Sequence, residues 1–316
     1  MKSPRFLHEH EGFLILIEQI ADAQNIEAHL IEKDYWLMHC LWGLQQQGWK
    51  FELKGGTSLS KGHGIIQRFS EDIDIRFEPP ASLDLKTGKN HDKPVHLAVR
   101  KVFFDHLAKT IAIPGLLEVR RDTNYDDDKF RNGGIILDYP SVTEQLTGVK
   151  EGILLEVGFD VTAPNLPCTI SSWAVDAATQ ANVPILDNRA VDVACYSPAY
   201  TFVEKLQTVS TKFRKQQETG GFPKNFMRHY YDIYCLLDNA QVQEFIGTPE
   251  YIAHKQARFP KADNQDITHN EAFLLSNPAT HAQYLREYEK TEALYYTGQI
   301  PFSAIIHRIH QHIDRL

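Results

Sequence analysis

The sequence predicts an α+β fold in which strands and helices interleave up to residue 196 and a mostly helical region occupies residues 197–316. Three observations lead there. Short apolar or alternating runs bounded by turn residues read as strands near 51–54, 71–77, 116–122, 130–139 and 151–161. Apolar residues recur at helical spacing over 6–22, 26–47 and 94–111. From Ser197 onward the pattern turns helical, with candidates at 197–218, 224–238, 241–256, 279–295 and 302–315. Two domains follow, 1–196 and 197–316.

The elements are justified in chain order. The helix over 26–47 carries the string Glu32-Lys33-Asp34-Tyr35-Trp36. The strand at 51–54 runs into Gly55-Gly56, a turn with unhindered backbone, and then into a short helix over 57–62. In the strand that follows, Asp72 and Asp74 project to one side and Ile73, Ile75 and Phe77 to the other. Pro79 to Asp92, with Gly88-Lys89-Asn90, reads as an exposed loop before the helix at 94–111. No repeats or low-complexity tracts occur.

Composition sets outer limits. With 316 residues, 42% hydrophobic and 23% charged, the chain suits one large or two medium folded domains. It has no run of about 18 apolar residues, and Met1-Lys2-Ser3-Pro4-Arg5 leads into a polar-interrupted helix, so a cytoplasmic location and no membrane partner are expected. Cys40, Cys168, Cys195 and Cys235 lack Cys-x-x-Cys spacing and are expected to be reduced core residues. A net charge of −8 argues against broad affinity for nucleic acid. A local basic groove is still provided for by Lys205, Lys212, Arg214, Lys215, Lys224 and Arg228.

The chemistry concentrates around the glycine turn. A helix N-terminus behind Gly55-Gly56 favours an anion, through unpaired N–H groups and the helix dipole. Two carboxylates side by side, Asp72 and Asp74, repel unless a cation lies between them. Either feature alone is an ordinary turn or a solvated strand face. In the order strand, glycine turn, helix, acidic strand, they resemble the signature of polymerase-beta-like nucleotidyltransferases. The longer form Lys54-Gly55-Gly56-Thr57-x-Leu59-x-Lys61, followed by Arg68-Phe69-Ser70-x-Asp72-Ile73-Asp74, resembles the AbiEii/AbiGii nucleotidyltransferase toxins. So do the Lys33-Asp34-Tyr35 segment, Glu204-Lys205, and Arg228-His229-x-Tyr231-Asp232, where His229 departs from the usual Asp.

That resemblance covers about residues 27–240 and implies a mixed sheet of the nucleotidyltransferase fold, Mg2+ as cofactor and an NTP as substrate. Gly55, Gly56, Thr57 and Ser58 would cradle phosphates, with Arg68 and Ser70 beside them, and Asp72 and Asp74 would bind metal. Glu156, a charged residue within Ile153-Leu154-Leu155-x-Val157, would complete the metal or activation site, since a lone buried charge needs a partner. Asp160 competes for that role. Lys205 and Arg228 would neutralise the triphosphate, with Asp232 orienting them or the acceptor, so that the helical domain contributes to the active site. The Glu204-Lys205 neighbourhood is expected to be exposed. RNA, particularly the tRNA acceptor end, is the implied acceptor, and a cognate antitoxin the implied partner. Nucleotidylation of a protein hydroxyl and a noncatalytic binding module are the alternatives.

Overall fold

The computed structural model describes residues 4–80, 83, 85–88, 90–146, 149–223 and 225–316. Lys89 of the expected loop and Lys224 of the basic stretch lie outside them. The described chain forms two compact units: residues 1–62 with 70–196, and residues 63–69 with 197–316.

The first unit is built on a seven-stranded mixed sheet. Helices α1 (Phe13–Gln24) and α2 (Ala28–Gln46) lead into β1 (Phe51–Lys54) and a single helical turn, α3 (Gly55–Thr57), that widens into a π-turn over Ser58–Gly62. Then come β2 (Asp72–Phe77), α4 (Pro94–Thr110), β3 (Glu118–Asp122), β4 (Asn132–Asp138), β5 (Ile153–Gly158), β6 (Asn165–Ile170), α5 (Trp173–Gln180) and β7 (Ala190–Tyr196). The strand order is β3-β4-β5-β2-β1-β7-β6, with β2 parallel to β5, β1 parallel to β7 and the other pairs antiparallel.

Alternation along β2 sorts the two faces of this sheet. Leu53, Ile73, Ile75, Phe77, Leu155, Val157 and Ile135 are fully buried, while Asp72, Asp74 and Arg76 are only half-buried. A shift of one residue would exchange these sets, so the hydrophobic pattern fixes the register. Helix α2 packs on β5 and β7, and α4 on β3 and β4.

The second unit is helical: α6 (Pro198–Thr219), α7 (Arg228–Leu236), α8 (Ala240–Phe245), α9 (Pro249–Arg258), α10 (Glu271–Leu274), α11 (Pro278–Glu289) and α12 (Phe302–His312). Helix α6 packs against α7, α8, α9 and α10. Tyr230, Tyr284, Tyr288, Phe226 and Phe302 interlock as edge-to-face and tilted rings. Segment 63–69 joins this unit through backbone bonds: Phe69 N–H donates to Leu294 O at 2.8 Å and Gln67 N–H to Tyr231 Oη at 3.2 Å.

Several elements differ from the sequence expectation. The stretch 241–256 is two helices, because Gly247 adopts φ +85° and Thr248 and Pro249 begin a new capped helix. The stretch 6–22 begins with a 3-10 turn and becomes α-helical only at Phe13. Strands β6 and β7 and helices α5 and α10 were not expected. Among the described residues no helix is long and apolar enough to cross a membrane. Cys40 and Cys195 are buried and Cys168 and Cys235 half-buried, all four as thiols.

Candidate active site

In the first unit three charged residues line up across neighbouring strands. Lys54 pairs in register with Asp74, and Asp74 with Glu156. Residues in register on adjacent strands share a face at a strand spacing of about 4.8 Å, so these side chains are lateral neighbours. Asp72 lies two residues before Asp74 on the same face. Of the two candidates for a third carboxylate, Glu156 is in register with Asp74, while Asp160 is exposed beyond the end of β5.

Crowding of these groups shows in their protonation. Burial first, then repulsion from Asp74 and Asp72, pushes the Glu156 carboxyl up to about 8. Burial also raises Asp72, against the attraction of Lys150. Because the folded-state value of Glu156 lies above its unfolded value of about 4.3, the folded state gains relative stability below that value and loses it as pH rises toward 8. We therefore expect metal-free protein to lose stability across this window and Glu156→Gln to flatten the profile, as denaturant unfolding at a series of pH values would show. An unchanged slope in the variant would place Glu156 outside the carboxylate cluster.

The glycine turn meets the carboxylates directly. Gly55 has φ +71°, and a Cβ built there would collide with Asp74 Oδ2. Gly55→Ala should thus destabilise by about 1–2 kcal/mol for the left-handed backbone alone and displace Asp74, lowering transfer activity more than stability. Retained activity in the folded variant would detach the turn from the site. The Thr57 and Ser58 hydroxyls face inward: Thr57 donates to Asp72 O at 2.6 Å and Ser58 to Tyr196 O at 3.4 Å. Both side chains are fully buried, so what the turn offers an anion here is backbone N–H. Ser70 is half-buried just ahead of Glu71 and Asp72.

Beneath this surface, three consecutive buried residues of α2 each anchor a different segment. Glu32 accepts from Val142 N–H at 2.8 Å, Thr143 N–H at 3.1 Å and Ser141 Oγ at 2.8 Å. Lys33 donates to the carbonyls of Lys150 and Gly152, the latter at 2.7 Å. Asp34 pairs with Lys61 at 2.8 Å and accepts from Trp173 N–H at 2.9 Å. Successive helical positions turn by about 100°, which is how one short string reaches three directions.

Lys150 is the site residue that sequence reasoning missed. Its ammonium contacts Asp72 Oδ1 at 2.8 Å and Oδ2 at 3.0 Å, in a loop that carries no motif.

A second charged cluster lies wholly within the helical unit. Asp232, fully buried, receives Arg68 Nε at 2.7 Å and Nη2 at 2.8 Å as a bidentate pair, and Lys205 Nζ at 2.8 Å. Burial is the largest single influence on the Asp232 carboxyl and would raise it. Arg68 and then Lys205 outweigh burial and hold it well below the usual carboxylate range. His229 Nδ1 lies 3.4 Å from Lys205 Nζ and its Nε2 3.1 Å from Lys212 Nζ. Burial, then these two ammonium groups, drive the ring well below its ordinary value, so it is neutral at pH 7.

The expected exposure of Glu204-Lys205 is corrected by the structure. Lys205 is only 7% exposed, and Glu204 pairs with Arg258 at 2.6 Å. A Glu-Lys dipeptide looks like surface decoration locally, but both flanks of α6 are covered by other helices. Arg68 is likewise buried. Arg228 stands half-buried at the first position of α7, four residues before Asp232. Of the basic stretch, Arg214 is spoken for by Asp263 and Glu218.

The donor chemistry suits a divalent cation. Among the described residues no group of three or more His, Cys, Asp or Glu side chains is placed to hold a metal ion, so Asp72, Asp74 and Glu156 do not form a three-carboxylate site. Magnesium, however, is ordinarily held by one or two carboxylates together with waters and substrate phosphates. Asp72 and Asp74 supply that number of hard oxygen ligands on one face, and the repulsion felt at Glu156 is the strain a cation would relieve.

A mixed sheet that places a glycine turn against paired carboxylates defines the class of nucleotidyltransferases. The model of the nucleotidyl transferase AbiEii toxin family, of type IV toxin–antitoxin systems, matches residues 37–307, and the chain belongs to that family. It is accordingly a nucleotidyltransferase. Among solved structures it is similar to an antigenic nucleotidyltransferase-like protein from Paracoccidioides brasiliensis, at 13% identity and a TM-score of 0.38, with 87% of this chain and 97% of the other covered. No curated protein matches.

Proposed function

We propose that this nucleotidyltransferase is magnesium-dependent, transfers NMP from an NTP to an RNA acceptor such as the tRNA end with release of pyrophosphate, and serves as the toxin of an AbiE-type system with a cognate antitoxin. The observation that supports it most is the in-register row Lys54, Asp74 and Glu156, with Gly55 packed against Asp74. Bound at Asp72 and Asp74, the metal would supply charge neutralisation at the phosphates. The backbone of Gly55, Gly56, Thr57 and Ser58 would orient the triphosphate. In transfer, the acceptor oxygen bonds to the α-phosphorus and the bond from that phosphorus to the β-phosphate bridging oxygen breaks.

The acceptor hydroxyl must lose its proton. The Glu156 carboxylate, whose basicity is raised by burial and its neighbours, is the group in this row suited to receive it. Lys205, Asp232 and Arg228 are proposed to take part in nucleotide transfer, with Arg68 holding Asp232. The test is to incubate the protein with each labelled NTP and magnesium in cell extract and follow the label. Label in RNA supports the reading, label in protein redirects the acceptor to a protein hydroxyl, and no magnesium-dependent label overturns it.

A further inference from the structure

We infer that Lys150 is a built-in competitor for the proposed metal site: its ammonium holds Asp72 when no divalent cation is bound and must release it when one arrives, so that it sets the metal concentration the site requires. The inference rests on the metal reading above. Both Asp72 oxygens are engaged by one ammonium, at 2.8 and 3.0 Å. A divalent cation sharing that carboxylate would repel the lysine at short range, so the two compete.

The surroundings are arranged to deliver this ammonium. The Lys150 carbonyl accepts from Lys33, whose side chain is completely buried, and the carbonyl of Gly152 accepts from the same ammonium. The Lys150 N–H donates to Glu71 Oε2 at 3.2 Å, and its ammonium lies 4.8 Å from the centre of the Tyr125 ring. The backbone at 150 is therefore fixed from two sides, while the head group sits on a flexible four-carbon stem. Such an anchor lets the charge swing off Asp72 with no movement of the sheet. Lys150 is the strongest attraction acting on Asp72, in a row where Asp74 and Glu156 crowd the same face.

The test uses the full chain and Mn2+ as the probe, with affinity read by calorimetry and metal-induced stabilisation by thermal unfolding. Lys150→Met should bind Mn2+ about tenfold more tightly, since no ammonium has to be displaced. It should also melt lower without metal and rise further on adding it. Lys150→Arg, which grips a carboxylate through a planar fork, should bind Mn2+ more weakly than the unaltered protein. Equal or weaker Mn2+ binding in Lys150→Met overturns the inference. If that variant does not fold, Lys150→Gln is judged by the same criterion. Absence of Mn2+ binding in the unaltered protein overturns the metal site itself, an outcome distinct from the first.

Discussion

Asp74→Ala should lose nucleotidyl transfer by a factor on the order of 10³ while keeping its fold. The size follows from the proposed role of Asp74 as a metal ligand, whose loss would remove several kcal/mol of charge stabilisation at about 1.4 kcal/mol per tenfold in rate. The fold should survive because Asp74 contributes repulsion to its neighbours: it is the largest charge acting to raise Glu156, and it also raises Asp72. Removing it relieves both, so the metal-free variant should be at least as stable as the parent. Circular dichroism and thermal unfolding beside a turnover assay make the comparison. Full activity in a native-like variant would remove Asp74 from the chemistry, and collapse of the fold would make it structural.

Asp232→Ala should behave in the opposite sense, with stability lost first. Asp232 is fully buried and neutralises two cations, Arg68 and Lys205, that are themselves nearly buried. Breaking such a pair on one side costs about 3–5 kcal/mol, because the charges left behind remain desolvated. The carboxyl is held below its unfolded value, so its stabilisation is complete above the unfolded pKa of about 3.9 and is lost as pH falls toward the folded value. Unfolding in urea at pH 7 and at pH 3 would measure this. A loss under 1 kcal/mol at pH 7 would show that the triad is not a structural centre.

How much of this was legible in the chain depended on the range of the interaction. β2 announced itself because its alternation of Asp and Ile is a local property, and the carboxylate face followed from it. Glu156 stood out as one charge in an apolar run. By contrast, β6 carries Pro167, which marks it as an edge strand only once the sheet is known. β7 was hidden by Asp192, whose φ of +54° interrupts the extended pattern. The partners of Asp232 were illegible for another reason: its motif offered Arg228, four residues earlier on the same helix, whereas the bidentate partner Arg68 is separated by 164 residues. Nothing in the loop around Lys150 marked its ammonium as a ligand of Asp72.

The allegiance of residues 63–69 to the helical unit gives the chain an order of completion. This short stretch is synthesised between β1 and β2, yet its hydrogen-bond and ion-pair partners Tyr231, Asp232, Leu294 and Tyr296 are made only after β7. A nascent polypeptide that has just emitted β7 therefore holds the sheet residues in full but keeps Arg68 without its counter-ion. Closure between Ile66 and Tyr296 spans 230 residues, the kind of long-separation contact that slows assembly. A chain that stops at β7 consequently cannot assemble the Arg68, Lys205 and Asp232 triad, because two of its three members have yet to be made.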